Sequence, residues 1–144
     1  MNKTIPYSDI FGKVGGRKFF KSLAETFYNK IEQDKILRPL FPQNLEEGKK
    51  RQYLFLQQFF GGPREYEKER GHPRLRKRHL PFPIGIKERN QWVKLILESI
   101  EELGITEDNE LRYTFEEYFK RTATKMMNMD DPNDLIPFSE DVLH

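Results

Sequence analysis

The sequence contains no cysteine, which excludes a disulfide frame, a thiolate metal site and a thiol nucleophile. It has only three histidines, so any metal chemistry must rest on very few imidazoles. No stretch comes near the ~18 consecutive apolar residues that a membrane span needs, and residues 1–6 lack the apolar core of a signal peptide. No membrane partner and a cytoplasmic location are therefore expected. No Ser or Thr stands in a recognisable nucleophile motif, and no P-loop glycine pattern is present. Apolar residues are scarce as well, at 36% of 144 against 33% charged. Aromatics compensate: twelve Phe, six Tyr and one Trp suffice to fill the core of one domain and argue against a disordered chain.

The net charge of +2 is unevenly spread. Residues 130–144 hold Asp130, Asp131, Asp134, Glu140 and Asp141 without a Lys or Arg, which leaves 25 cations against 18 carboxylates on residues 1–129. The expected organisation is a domain over 1–129 followed by an acidic, Pro-containing tail over 130–144, either solvated or folded back on the basic body.

Helical periodicity dominates. Over 17–33 the apolar residues Phe19, Phe20, Leu23, Ala24, Phe27, Tyr28 and Ile31 fall on one face, behind the turn Gly15-Gly16. A helix over about 45–60 carries the row Gln52, Phe55, Phe59 beside the row Tyr53, Leu56, Phe60, and Gly61-Gly62-Pro63 ends it. A third, over 87–103, lines up Trp92, Ile96, Ile100 and Leu103. A fourth, over about 110–128, turns Leu111, Phe115, Tyr118, Phe119, Thr122 and Met126 inward. No segment alternates with period two, so the fold class is all-α. Residues 36–41, with Pro39 inside and Pro42 after, have room for a turn or two. Between Gly62 and Lys87 the prolines and glycines leave space for one short helix, over 74–80, in a loop long enough to be functional.

That loop contains Arg74-Leu75-Arg76-Lys77-Arg78-His79-Leu80-Pro81-Phe82. Clustered cations before a histidine have three readings. They can neutralise nucleic-acid phosphates, but Glu65, Glu67 and Glu69 nearby break the positive field, and no nucleic-acid partner is expected. They can be a solvated basic surface. Or they can be a haem site, with His79 as the imidazole on the iron and Arg76 and Arg78 near the propionates. Leu75, Phe82 and Ile84 would then line the ring, and the flanking prolines would hold the short helix in one orientation. A zinc site is disfavoured, because His72 and His79 alone do not supply three or four ligands.

Longer stretches carry a family likeness. They are Val14-Gly15-Gly16, Phe27-Tyr28, Leu37-Arg38-Pro39-Leu40-Phe41-Pro42, and Phe55-Leu56-Gln57-Gln58-Phe59-Phe60-Gly61-Gly62-Pro63. The most specific is Gly71-His72-Pro73-Arg74-Leu75-Arg76-Lys77-Arg78-His79-Leu80-Pro81-Phe82-Pro83-Ile84, followed by Glu88-Arg89-Asn90-Gln91-Trp92. Over about residues 7–129 the chain resembles a group II truncated haemoglobin. The resemblance implies a shortened globin, two helices packed on two around a b-type haem, with the proximal helix reduced within a long loop. It implies His79 as the iron ligand and Phe41 as an aromatic packed on the haem. Tyr28, Gln52 and Trp92 become a distal polar trio, and Phe55 and Phe59, on the Gln52 row, join the haem-lining residues. Tyr66, His72 and Arg78 fall near the haem edge, and Gly48, one turn before Gln52, takes the distal-gate position. Glycine departs there from the expected Ala, Ser or Thr; it would widen ligand access at a helix-propensity cost of about 1 kcal/mol.

Taken alone, Tyr28 and Trp92 are as readily core aromatics. Gln52 is more telling, because an amide on an apolar row is costly unless hydrogen-bonded. The hydroxyl, amide and indole are all donors, suited to the partial negative charge of a diatomic ligand. The reading is a haem protein that binds O2, NO or CO for oxygen transport or storage, as a monomer or a homodimer. The alternatives are a haem enzyme, peroxidase-like or an NO dioxygenase served by a separate electron donor, and a redox or gas sensor.

Overall fold

The computed structural model describes residues 3–129; the acidic tail expected over 130–144 lies outside the described residues. Among the described residues there are seven α-helices and no strand, as the periodicity requires. They are α1 (Ile10–Lys13), α2 (Arg17–Gln33), α3 (Glu46–Phe59), α4 (Glu65–Arg70), α5 (Leu75–His79), α6 (Ile86–Glu102) and α7 (Arg112–Met126). Short 3-10 turns cover Tyr7–Asp9 and Arg38–Leu40. Helix α2 packs on α3 and α6, and α6 packs on α7, which is the two-on-two arrangement. No described helix is long and apolar enough to cross a membrane.

The stripe on α2 is buried as its spacing predicts, from Phe19 to Ile31. The core between the helix pairs is aromatic: Phe20, Phe60, Phe115 and Phe119 are almost wholly buried. Phe60 stacks on Phe20 at 5.9 Å and meets Phe115 edge-on at 5.2 Å. Each such side chain contributes about 2–3 kcal/mol through burial, which is how a chain poor in aliphatics closes a core. Truncating Phe60 to Ala would cost about 3–5 kcal/mol.

Helices α1 and α4 were not expected from the sequence. In α1, Ile10 is buried and the Phe11 N–H donates to the Phe60 carbonyl at 2.8 Å, so the N-terminal segment is fastened to the end of α3. Gly61 makes this contact possible: its φ is +103°, and a Cβ there would lie 2.0 Å from the Ser8 carbonyl oxygen. Helix α4 falls inside the stretch with expected room for one short helix only. It carries Glu65 and Glu67 at its start and Lys68 and Arg70 at its end, which suits the helix dipole. Tyr66 is its buried anchor, and the Arg70–Glu47 and Lys50–Glu69 ion pairs hold it along α3.

Candidate functional site

His79 is the last residue of α5 and is half-buried. Its Nδ1 lies 2.6 Å from the Leu75 carbonyl oxygen. A carbonyl can only accept, so Nδ1 carries the hydrogen and Nε2 keeps its lone pair. Burial lowers the imidazole's pKa from its usual value, opposed by the bond to Leu75, and so favours the neutral ring. A neutral imidazole with a fixed tautomer and a free Nε2 is the form that binds a metal.

The short helix that carries His79 begins abruptly. Arg74 adopts a left-handed conformation (φ +47°), and its N–H donates to His72 Nδ1 at 3.0 Å. His72 is exposed, as is Arg78, and Tyr66, on α4, is buried. Leu75 and Ile84 are half-buried, whereas Phe82 is exposed.

Helices α2, α3 and α6 position the remaining polar groups. Tyr28 is buried, with its ring edge-on to Phe41 at 5.8 Å and to Phe27 at 5.7 Å. Phe41 is held by the loop after the second 3-10 turn, where the Arg38 guanidinium donates to the carbonyls of Phe41, Pro42 and Gln43. Trp92, on α6, meets Phe27 at 5.3 Å, so Phe27 touches both the indole and the Tyr28 phenol ring. Burial pushes the Tyr28 phenol up to about 12, with Arg51 pulling the other way, and its proton is retained at neutral pH. Gly48 lies against that hydroxyl: a Cβ at this position would be 2.8 Å from Tyr28 Oη. The room left by the missing side chain is taken by the tyrosine.

Gln52 Oε1 is buried without a hydrogen-bond partner among the described residues. A half-turn of the amide exchanges that oxygen for the Nε2 hydrogens, so the side chain can serve a guest as acceptor or donor. Phe55 is edge-on to Tyr66 at 5.7 Å, whereas Phe59 reaches deeper, 4.5 Å from Tyr118 and 5.0 Å from Tyr7. Phe59 thus joins two regions of the aromatic core.

These residues suit a haem better than a bare ion. Among the described residues no three of His, Cys, Asp or Glu come together as a metal site. An iron that arrives with four porphyrin nitrogens needs one protein imidazole, and His79 is prepared as one. The orphaned Gln52 oxygen is a second feature that fits a bound polar group.

Comparison with known proteins agrees. The sequence matches the bacterial-like globin family over residues 9–128. It is 34% identical over 129 residues to the group 2 truncated haemoglobin YjbI of Bacillus subtilis, covering 90% of this chain and 92% of that one. The chain belongs to the group II truncated haemoglobins. Among solved structures, the haemoglobin of the thermophilic phototroph Chloroflexus aurantiacus superposes with a TM-score of 0.79 at 48% identity, covering 83% of this chain and 98% of the other. The truncated oxygen-avid haemoglobin of Bacillus subtilis gives 0.76 at 34% identity, covering 82% and 98%. A haem cofactor follows from membership of this family of truncated haemoglobins.

Two residues escaped the sequence reading. Asn128, just past α7, hydrogen-bonds to the loop after His79. Gln57, in α3, is fully buried with both amide atoms unpartnered. Asn128 gives no sequence signal, since an Asn after a helix reads as a turn residue; Gln57 sits in an apolar run and was legible as an expensive amide.

Proposed function

We propose that this truncated haemoglobin binds diatomic gases, O2 foremost, at a single b-type haem held by His79. The observation that carries the reading is the Nδ1–Leu75 hydrogen bond, which fixes the tautomer in which Nε2 is free to ligate. With no cysteine in the sequence, thioether attachment is excluded and the haem is held by coordination and packing. Such a haem would supply an iron able to take up O2, CO or NO, with His79 as its protein ligand. Tyr28 and Trp92 would be the hydrogen-bond donors to that gas, with Gln52 as a third. Phe41, Phe55, Phe59, Leu75, Phe82 and Ile84 would form the apolar lining. Tyr66, His72 and Arg78 stand at the edge where propionates need partners.

Support for O2 as the ligand comes from the donors, whose hydrogens suit the charge that a bound O2 carries, and from the Bacillus subtilis relative described as oxygen-avid. Transport or storage of O2 in the cytoplasm, with a separate electron donor to keep the iron ferrous, is the role this site suits. The test is optical. Haemin added to apoprotein should produce a Soret band, and reduction under CO should produce the spectrum of a histidine-ligated carbonyl. His79→Ala should abolish both. A colourless protein after reconstitution, or identical spectra from His79→Ala, would overturn the proposal.

A further inference from the structure

We propose that Asn128 is a positioning residue for the His79 imidazole, acting through the backbone on which that histidine stands. The inference rests on the reading of His79 as the iron ligand. Asn128 is 49 residues from His79 in sequence, yet its Nδ2 donates to the His79 carbonyl at 3.1 Å and to the Phe82 carbonyl at 2.7 Å. Its Oδ1 accepts the Ile84 N–H at 2.9 Å. Its own N–H donates to the Ile84 carbonyl at 2.9 Å, and Met129 adds a second bond to the same carbonyl at 3.2 Å.

The loop between α5 and α6 needs this help. Pro81 and Pro83 have no N–H to give. The remaining local bonds include Leu80 N–H to the Lys77 carbonyl at 3.3 Å and Phe82 N–H to the His79 carbonyl at 3.0 Å. The His79 carbonyl therefore accepts from both Phe82 and Asn128, which fixes the peptide plane leaving residue 79 and with it the direction of the Cα–Cβ bond. The Leu75 carbonyl fixes the rotation of the ring. The imidazole has two independent anchors, one on its own helix and one on the end of α7. Hydrogen bonds that hold a histidine ligand from behind tune its basicity as well as its orientation.

The test is resonance Raman spectroscopy of the ferrous, ligand-free holoprotein, read at the iron–histidine stretching band. Asn128→Asp keeps an oxygen for the Ile84 N–H but has no hydrogen for the His79 and Phe82 carbonyls; Asn128→Ala removes both functions. Both variants should shift or broaden the band, and both should release haem to a scavenging apoglobin several-fold faster than wild type. If Asn128→Ala does not fold, the near-isosteric Asp variant carries the measurement. An unchanged band in folded variants, whatever their melting temperature, would overturn the inference and leave Asn128 a fastener of the loop. A wild-type protein without the band, or with a band that survives His79→Ala, would instead strike at the ligand assignment itself.

Discussion

The hydroxyl of Tyr28 occupies the place where a side chain on residue 48 would begin, 2.8 Å from the position of a Gly48 Cβ. Tyr28 and Gly48 lie on different helices, α2 and α3, so the glycine sets how deeply the phenol can sit between them. Adding one methyl group forces the hydroxyl aside, because its ring is buried against Phe41 and Phe27. Gly48→Ala should gain about 1 kcal/mol of helix propensity and spend much of it on this displacement. Stopped-flow O2 release should quicken toward the rate of Tyr28→Phe. On the Tyr28→Phe background the same Ala should leave release unchanged and raise stability instead, a non-additivity that a double-mutant cycle reads directly.

The buried phenol also predicts a pH dependence. Burial raises its pKa to about 12, above the unfolded value of about 10. As pH rises the unfolded chain loses this proton first, so the stability owed to Tyr28 is intact below about pH 10 and is lost as pH climbs through the folded value. Urea unfolding of the apoprotein at a series of alkaline pH values should show a steeper decline for wild type than for Tyr28→Phe. Parallel declines would mean that the phenol is not shielded from water.

Much of this architecture is legible in the sequence where apolar spacing is long enough to repeat. Helix α2 runs Arg17–Gln33, the expected span, because seven buried residues repeat over nearly five turns behind two glycines of positive φ. Helices α6 and α7 differ from expectation by one or two residues at each end, where helix ends fray. Helix α4 is too short for a period to show, and Tyr66 is its only buried residue. At the site, His79 stands out because its motif is local. The contacts of Gly48 with Tyr28 and of Asn128 with His79 join residues far apart in the chain, and composition or spacing along one element carries no trace of them.

Gln57 offers a test of stability. It is fully buried in α3, and neither its oxygen nor its nitrogen has a partner among the described residues. An amide left in this state costs about 1–3 kcal/mol. Gln57→Met keeps the length of the side chain and removes the polar atoms, so it should stabilise the protein, at roughly 2–4 °C of melting temperature per kcal/mol. Calorimetry of the apoprotein is the measurement. A lower melting temperature would show that a buried water satisfies the amide.

Trp92 separates a ligand contact from a packing contact. Its ring is edge-on to Phe27 at 5.3 Å and to Phe119 at 5.8 Å, so the indole bridges α2 and α7 whatever its N–H does. Trp92→Phe preserves an aromatic ring between those neighbours and deletes the N–H alone among the polar functions. If the N–H donates to the bound gas, its loss removes about 1–2 kcal/mol, which corresponds to a roughly five- to thirty-fold faster release. Tyr28→Phe should act in the same direction. Because both donors address one ligand, the double variant should differ from the product of the single effects. Release at the wild-type rate from Trp92→Phe, with Tyr28→Phe still fast, would leave the phenol as the donor and return the indole to the core.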